Sequence, residues 1–414
     1  MPIDSFPDLP TFVSHLECSA TGERYQADQR HGLSRAGKPL LVRYRLEALA
    51  GALSRHDLVG REPGFWRYRE FLPVRRPENI VSLGETTTPI VACRRLGRRL
   101  GLTSGGELLV KDESRLPTGS FKARGLGVAV SMAKELGVAS MALPTAGNAG
   151  AALAAYCARA AIDAYVFCPD DAPETTVREI ALHGAKVFRV NGLINDCGKI
   201  VADGRRPMGW FDASTLKEPY RLEGKKTMGL ELAEQLGWEL PDVIFYPTGG
   251  GTGLIGIWKA IAELQAIGWL TDKRPRMVAV QAAGCAPIVK AWQEGKDHAE
   301  PWPDAHTIAH GMRVPVAVGD FLILSAVRDS DGFAIAVEDA EIEARRAEMA
   351  GAEGLHLGPE GATTYAAYVR ALEERRVGKD ERVVLFNCGT GLKYDMPDTA
   401  GFLDRHRPID YQAL

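Results

Sequence analysis

The stretch ELLVKDESRLPTGSFKARG, residues 107–125, joins a strand to a helix through one loop. Its first five residues form a short apolar run bounded by charges, which is typical of a buried strand. A helical pattern begins at Ser120 and continues to about Leu136. Lys122 therefore stands at the start of a helix, where the positive end of the helix dipole disfavours a cation. The lysine is either an ordinary surface charge or an amine that works in its uncharged form.

The same alternation of strand and helix continues along the chain. Helices are predicted at residues 147–161 and 174–183, and again after residue 253. Six further apolar runs indicate strands, at residues 139–144, 163–168, 185–190, 242–247, 276–281 and 382–387. Such alternation implies parallel strands joined by right-handed crossovers, which is a doubly wound α/β architecture. The first 75 residues lack the alternation and are predicted to form an N-terminal extension.

Composition favours an enzyme that acts on a small molecule. The 414 residues exceed the usual size of a single core, which favours two domains. Lysine and arginine number 50 against 53 acidic residues, so the net charge of -3 gives no basic surface for nucleic acid or for a membrane. No window approaches the roughly 20 apolar residues of a membrane span, and residues 1–10 do not have the layout of a signal peptide. A cytoplasmic location is expected.

The cysteines predict neither disulfides nor a metal site. There are seven, they are scattered, and none forms a C-x-x-C pair. An odd number at such spacings indicates reduced thiols. Cys18 resembles the first ligand of a small zinc ribbon, but the other ligands that zinc requires are missing. We therefore expect no metal.

Four loops that follow predicted strands contain glycine, and ligands of open α/β sheets bind beyond the carboxyl ends of the strands. The loop with Lys122 follows the first strand. The other three are TAGNAG at residues 145–150, TGGGTG at residues 248–253 and CGTGLK at residues 388–393. Because parallel strands end at one edge of a sheet, the four loops are expected to line one pocket.

The TGGGTG loop is predicted to bind a phosphate. Successive glycines let backbone N–H groups point into one concavity, and the following helix start adds positive potential. The alternative is a tight turn, which needs only one or two glycines. No P-loop lysine follows and no G-x-G-x-x-G motif opens the first unit, which argues against a nucleotide. A phosphate site and an activated lysine at one edge suit a cofactor with a phosphate and an aldehyde, and pyridoxal phosphate has both.

Three motifs in order, PTGSFKARG, AGNAG and GGGTG, resemble those of the fold type II pyridoxal-phosphate enzymes. EPYRLEGKKT together with CGTGLK is most similar to the threonine synthase branch, and the similarity covers residues 84–393. The resemblance implies two doubly wound parallel-sheet domains behind the extension at residues 1–75. The large pyridoxal-phosphate-binding domain would comprise residues 76–120 and 206–414, and the small domain residues 121–205. It also implies a homodimer.

The resemblance also implies roles for individual residues. Lys122 would bind the cofactor as a Schiff base and remove the α-proton of the substrate, Asn148 would bond the ring hydroxyl, and Cys388 would face the ring nitrogen. The implied cofactor contacts are Lys122, Asn148, Gly249, Gly250, Gly251, Thr252, Gly253 and Cys388. The implied substrate contacts are Lys111, Thr145, Ala146, Gly147 and Arg221.

Each assignment has a simpler alternative. Lys122 could be a solvated lysine at a helix start, and Asn148 could only cap its helix. Cys388 could be a small buried apolar residue, as free cysteines often are. Arg221 could be a surface charge.

The chain departs from the threonine synthase branch mainly where substrate binds. Ala146 and Ala149 lack the hydroxyl groups that the branch usually has in this loop. Thr390 stands where the branch usually has histidine, and Cys388 where it has threonine, as in serine dehydratases. Before the P-Y-R motif the branch usually has asparagine and serine that help to hold the substrate phosphate. This chain has Thr215, Leu216 and Glu218 there instead.

Three functions therefore stay open. The first is a threonine synthase, converting O-phosphohomoserine and water to threonine and phosphate. The second is a β-eliminating ammonia-lyase or a β-replacement synthase that acts on an amino acid like serine, threonine or diaminopropionate. A neutral group beside the ring nitrogen suits this second chemistry. The third is a non-catalytic relative that binds pyridoxal phosphate as a structural or sensing ligand.

Overall fold

The computed structural model describes residues 11–396, 400–409 and 411–412. The first ten residues of the predicted extension and a few residues of the predicted large domain lie outside these ranges. All seven predicted strands are confirmed to within two residues. In chain order, strands β1 to β13 are Val13–Cys18, Arg24–Tyr25, Leu40–Tyr44, Ile90–Ala92, Glu107–Asp112, Ser140–Pro144, Asp163–Pro169, Lys186–Val190, Phe211–Asp212, Val243–Pro247, Arg276–Ala282, Phe333–Val337 and Arg382–Asn387.

The predicted helices are confirmed as well, including the one that begins at Lys122. In chain order, helices α1 to α12 are Leu46–Ala52, Arg94–Arg99, Lys122–Glu135, Asn148–Ala160, Glu174–Leu182, Ile194–Met208, Tyr220–Gln235, Thr252–Ala266, Pro287–Gln293, Asp320–Asp329, Asp339–Glu353 and Pro359–Glu373. No helix in the described part of the chain combines the length and the apolar content that a bilayer crossing requires.

The larger sheet has six strands in the order β12-β11-β10-β13-β5-β4. Neighbouring strands are parallel except for the antiparallel edge strand β4. The central strands are apolar along their whole length, as expected when helices cover both faces. Val384 lies in the core on one face and Val383 in the core on the other. The predicted doubly wound architecture is therefore present here.

The smaller sheet has four parallel strands in the order β8-β7-β6-β9. Strand β9 pairs Phe211 with Met141 and Asp212 with Ala142. The small unit therefore continues past residue 205, where the sequence analysis ends it. The extra strand is only two residues long, too short for hydrophobic periodicity to reveal.

The extension forms a three-stranded antiparallel sheet, β2-β1-β3, which the sequence analysis did not predict. Its buried face packs on the catalytic body through Leu16 and Val42, in one cluster with Val128 and Met132 of α3. The Tyr44 hydroxyl donates a 2.8 Å hydrogen bond to Glu223 of α7. The extension therefore stabilises α3, which begins at the candidate site residue Lys122, and α7, which contains the candidate site residue Arg221.

Candidate active site

The four glycine-bearing loops line one cavity, as the sequence analysis predicts. The cavity has a volume of about 470 Å³, in the range of small-molecule sites. It lies beyond the carboxyl ends of β5, β6, β10 and β13, between the two sheets. The sequence-predicted residues that line it are Lys122, Thr145, Ala146, Gly147, Asn148, Gly249, Gly250, Gly251, Thr252, Gly253 and Cys388.

Lys122 is the first residue of α3 and is half-buried at the cavity. The two residues before Lys122 both contact the loop that follows β13. The backbone N–H of Phe121 donates a 2.9 Å hydrogen bond to the carbonyl of Cys388, and Ser120 forms a β-bridge with Gly389. The β13 loop therefore holds the start of α3 in place. The alternative of a solvated surface lysine does not fit this location.

The pKa of Lys122 is lowered from its ordinary 10.5 to about 8. Burial is the main cause because it disfavours the charged form, and the positive charge of Arg221 adds to it. Cys388 and Glu360 act in the opposite direction. A substantial fraction of the amine is therefore uncharged near neutral pH, which is the form that attacks a carbonyl carbon.

In the apoprotein, Lys122 is expected to become reactive toward acetic anhydride with a midpoint near pH 8, because its amine loses its proton there. Pulse labelling at a series of pH values, followed by digestion and mass spectrometry, measures the midpoint. The exposed Lys379 in the same digest serves as the control, because it shows how the labelling reaction itself varies with pH. A midpoint for Lys122 at or above pH 10 would contradict this prediction.

The TGGGTG loop connects β10 to α8, a helix of 15 residues. Gly251 caps this helix with φ of +74°, a left-handed conformation that favours glycine. A Cβ atom on Gly253 would overlap the hydroxyl and ring of Tyr246, and one on Gly250 would lie 2.8 Å from the Thr215 methyl. The glycines therefore allow the loop to pack closely against its neighbours at the N-terminus of a helix, which is a place that can hold a phosphate.

Asn148 is the first residue of α4, and Gly147 occupies the capping position. The simpler role of helix cap therefore belongs to Gly147. The Asn148 Oδ1 accepts a 3.2 Å hydrogen bond from Lys393, which also pairs with Glu179 at 2.5 Å. These bonds fix the side chain between the CGTGLK loop and α5, at the cavity wall.

Cys388 is buried at the cavity, and its thiol donates to the Tyr246 hydroxyl at 3.4 Å. Burial raises the pKa of the thiol to about 12. The group is therefore a neutral thiol under physiological conditions. It can offer a neutral hydrogen bond to a ligand in the cavity and does not supply a negative charge.

The structure corrects the substrate contact predicted for Lys111. The side chain is completely buried, and its amine donates to the carbonyl of Thr88 at 2.8 Å and to Gln235 at 2.7 Å. It also pairs with Glu231 at 2.5 Å. Lys111 points from β5 toward α7 and does not line the cavity. The amine belongs to a buried ion network that joins helix α7 to the sheet.

Arg221 likewise does not line the cavity, which corrects the predicted substrate contact. It is buried, and its guanidinium donates to the carbonyl of Ala213 at 2.6 Å. Glu218, which the sequence places near a substrate phosphate, also points elsewhere. Its carboxylate accepts the backbone N–H groups of Tyr220 at 2.7 Å and Arg221 at 3.1 Å, and so caps α7. Glu218 therefore adds no carboxylate to the lining of the cavity.

Several cavity residues were missed by the sequence analysis. They are Lys199, Lys217, Tyr246, His310, Arg313 and Glu360. Tyr246 could have been found, because it lies just before the end of a strand that leads into a glycine loop. His310 and Arg313 follow the charged, proline-containing stretch at residues 294–309. No local periodicity indicates that the chain returns to the cavity after this stretch.

Three basic side chains lie at the mouth of the cavity, and each is paired with a carboxylate. Arg313 forms two hydrogen bonds of 2.7 Å with the carboxylate of Asp171, and so bridges the loop after β7 and the loop before α10. Lys217 lies 3.9 Å from Asp212, and Lys199 pairs with Asp203 at 2.7 Å. Only the Lys199–Asp203 pair is exposed on both sides, whereas the Arg313 side chain is 11% exposed and that of Asp212 is 5% exposed. An anionic substrate group at the mouth would therefore compete with Asp171 and Asp212 for Arg313 and Lys217.

The residues present fit the cofactor that the resemblance implies. The glycines let the loop pack closely against neighbouring residues with which a Cβ would clash, and the helix behind the loop suits a phosphate dianion. Lys122 provides an amine of lowered pKa for the aldehyde, while Asn148 and Cys388 provide uncharged polar groups. Among the described residues, no group of three or more His, Cys, Asp or Glu side chains is arranged to hold a metal ion.

Comparison with known proteins agrees with this geometry. A family profile described as "Pyridoxal-phosphate dependent enzyme" matches residues 81–389. Threonine synthase from Methanocaldococcus jannaschii is 35% identical over 384 residues, which are 92% of this chain and 93% of that protein. Threonine synthase from Methanosarcina acetivorans is 35% identical over 383 residues, 92% of each chain.

The solved structure of maize serine racemase matches with a TM-score of 0.63 at 22% identity, over 74% of this chain and 88% of that chain. At this identity the match shows the fold alone, and it confirms the predicted fold class. The family profile extends from just before β4 to Gly389 and so contains three of the four cavity loops together with the first two residues of the fourth. The chain therefore belongs to the family of pyridoxal-phosphate dependent enzymes.

Proposed function

We propose that this enzyme is a threonine-synthase-type lyase, which converts O-phosphohomoserine and water to threonine and phosphate. The observation that carries the proposal is the 35% identity to the threonine synthase of Methanocaldococcus jannaschii over 92% of the chain. An alignment of this extent includes most of the extension as well as the catalytic body. The non-catalytic alternative is set aside because the chain is a pyridoxal-phosphate-dependent lyase by family.

The proposed cofactor contacts follow from the cavity lining. Gly249 to Gly253, with Thr252 among them, bind the phosphate through the start of α8. Asn148 bonds the ring hydroxyl, and the Cys388 thiol faces the ring nitrogen. When bound, pyridoxal phosphate supplies the electron sink for the amino-acid substrate. Lys122 would hold the cofactor covalently, and its amine would serve as the base for the α-proton of the substrate.

The proposed substrate site combines the TAGNAG loop with the basic side chains at the mouth. Thr145, Ala146 and Gly147 line the cavity beside Asn148. The N–H of Ala146 would receive the substrate carboxylate, because those of Thr145 and Gly147 already donate to the Phe167 carbonyl and to the Thr145 hydroxyl. Lys217 and Arg313 supply positive charge for the distal phosphate. They take the place that the sequence analysis gave to Lys111 and Arg221.

The second candidate is β-elimination or β-replacement on an unphosphorylated amino acid. The observation that favours it is the loss of hydroxyl groups at Ala146 and Ala149 beside a neutral thiol at Cys388. Each lost charge-assisted hydrogen bond to a dianion is worth about 1.5–3 kcal/mol, so the loss of two would weaken phosphate recognition by roughly a hundredfold or more.

A parallel assay separates the two candidates. The purified enzyme is offered O-phosphohomoserine, serine, threonine and diaminopropionate, while phosphate, ketoacid and ammonia are measured. We expect phosphate release with threonine formation, and neither product from an enzyme with Lys122 replaced by alanine. Ketoacid and ammonia from an unphosphorylated amino acid, with O-phosphohomoserine inert, would overturn the first proposal and support the second.

We also propose a cytoplasmic homodimer. The location is supported by the seven cysteines, which are all buried and unpaired, as expected in a reducing compartment. The dimer is supported by the motif resemblance to the fold type II enzymes. Light scattering after size-exclusion chromatography tests it, and a mass near the 44.9 kDa of one chain would contradict it.

Replacement of Cys388 by alanine is expected to retain bound cofactor, to shift its visible absorbance and to slow turnover roughly tenfold. The glycine loop holds the molecule, whereas the thiol acts on the ring. Absorbance spectra and steady-state rates measure both effects. Cys157, also buried but in the core of the smaller sheet, gives the control, because its replacement by alanine should leave the spectrum unchanged. An unaltered spectrum in the Cys388 variant would show that the thiol does not act on the cofactor ring and that the residue only packs in the cavity wall.

A further inference from the structure

A second lysine lies behind Lys122. Lys225 occupies the middle of α7 and is completely buried. Its neighbour Lys226 is buried too, but pairs with Glu223 at 2.7 Å and with Glu263 at 2.8 Å. Among the ion pairs of the residues that the structure describes, Lys225 takes part in none. Burying a charged lysine amine without a carboxylate partner costs free energy. The partners of the Lys225 amine therefore need an explanation.

The amine of Lys225 is directed at Phe121, the residue that precedes Lys122. It donates a hydrogen bond to the Phe121 carbonyl and lies 3.8 Å from the centre of the phenyl ring. The amine of Lys122 lies 4.4 Å from the centre of the same ring. Both lysines therefore contact Phe121, Lys122 from the side of the cavity and Lys225 from the protein interior.

The local sequence makes room for this contact. Gly125, one turn into α3, faces the Lys225 side chain, and a Cβ there would lie 2.9 Å from Cε of Lys225 and 2.9 Å from the carbonyl of Arg221. The absence of a side chain at this position lets α3 and α7 approach closely with the lysine between them. The Lys225 side chain fills that groove and reaches Phe121.

The environment explains how the amine is tolerated. Burial lowers the pKa of Lys225 well below its ordinary value, and the positive charges of Lys122 and Arg221 lower it further. The uncharged form of Lys225 is therefore favoured relative to that of an exposed lysine. An uncharged amine still has N–H groups, so it can donate to a carbonyl without the cost of a buried ion.

We propose that Lys225 is a positioning residue for Lys122: through the Phe121 carbonyl it fixes the peptide that presents the Lys122 amine to the cavity. The other end of Phe121 is held by the hydrogen bond from its N–H to the Cys388 carbonyl. Lys225 thus completes a clamp from α7 and the β13 loop on the residue before Lys122. Small displacements of a reacting group cost large factors in rate, so the clamp controls how fast the amine reacts.

Two substitutions separate positioning from packing. Lys225→Gln keeps a side-chain N–H donor on a side chain one atom shorter, whereas Lys225→Met has that same length without a donor. The first measurement is the rate of covalent capture of pyridoxal phosphate by the apoprotein, trapped with borohydride and mapped to Lys122. We expect capture to slow tenfold or more in Lys225→Met and to stay within about threefold of the original rate in Lys225→Gln.

The second measurement needs no cofactor. Phe121–Lys122 is a Phe-Lys step that occurs once in the sequence. Labelling phenylalanine with carbonyl ¹³C and lysine with ¹⁵N therefore gives one carbonyl-to-amide cross-peak. The peak should move clearly in Lys225→Met and little in Lys225→Gln. Lys225→Ala, which also lacks a donor, replaces Lys225→Met if that variant does not fold.

Equal behaviour of the two variants would overturn the proposal. If both match the original protein, Lys225 has no role toward Lys122. If both slow capture equally and melt at equally lowered temperatures, the residue only packs. Either result leaves the proposed threonine synthase activity untouched, because neither measurement uses an amino-acid substrate.

Discussion

Replacement of Lys122 by alanine is expected to abolish covalent attachment of pyridoxal phosphate and to reduce turnover by roughly a thousand-fold or more. Lys122 is proposed to serve both as the covalent ligand and as the base for the α-proton, and a positioned base alone contributes roughly 10²- to 10⁴-fold. Borohydride treatment followed by peptide mapping measures the attachment. The variant should still bind the cofactor reversibly, because the glycine loop is unchanged.

Lys199 provides a matched control for this experiment. It lines the same cavity, but its side chain is 79% exposed and its amine pairs with Asp203 at the mouth. Replacement of Lys199 by alanine should leave the attachment at Lys122 intact. Label on another lysine in the original protein, or undiminished label in the Lys122 variant, would show that the central assignment is wrong.

The layout of the fold was readable from the sequence because its strands are buried on both faces. Runs such as residues 242–247 and 382–387 are continuously apolar and are bounded by charges or glycines, which separates them clearly from helices. The extension was less readable. Strand β2 has two residues and β1 alternates irregularly, so neither gives a periodic signal.

The sequence predicts the cavity residues whose position depends on where the loops of the backbone lie. It does not predict those whose position depends on the direction of a side chain. Loops at the carboxyl ends of parallel strands must meet at one edge, and this placed Lys122, Asn148 and Gly251 together. Lys111 is one residue from the end of β5, and side chains alternate across a strand, so an error of one position turns an expected cavity residue into a core residue.

Arg221 illustrates a different limit. Its motif matches that of the related enzymes, but its contacts depend on how the chain turns between β9 and α7. Glu218 caps that helix through two backbone N–H groups, which fixes Arg221 toward the Ala213 carbonyl. Spacing in a motif does not contain this information. The same holds for Lys225, whose partner Phe121 is more than a hundred residues away in the chain.

Replacement of Gly253 by alanine is expected to weaken binding of pyridoxal phosphate by a hundredfold or more. The added Cβ would overlap the hydroxyl and ring of Tyr246, so the start of α8 has to shift away from β10. That shift displaces the N–H groups proposed to hold the phosphate. Because these groups act together on one dianion, the loss should exceed that of a single hydrogen bond, about 1.5–3 kcal/mol. Equilibrium titration of the apoprotein, followed by cofactor absorbance, measures the change.

Gly351 supplies the control for this substitution, since it also lies within a helix, α11, but a Cβ there would meet nothing within 4 Å. Alanine at Gly351 should leave cofactor binding unchanged and raise stability by about 0.5–1 kcal/mol, because alanine loses less backbone entropy in a helix. Comparison of the two variants separates the steric effect of a Cβ at Gly253 from the general effect of replacing a helical glycine by alanine. If the Gly253 variant folds and binds the cofactor as tightly as the Gly351 variant, the phosphate does not rest on the start of α8, and the TGGGTG loop is only a tight turn.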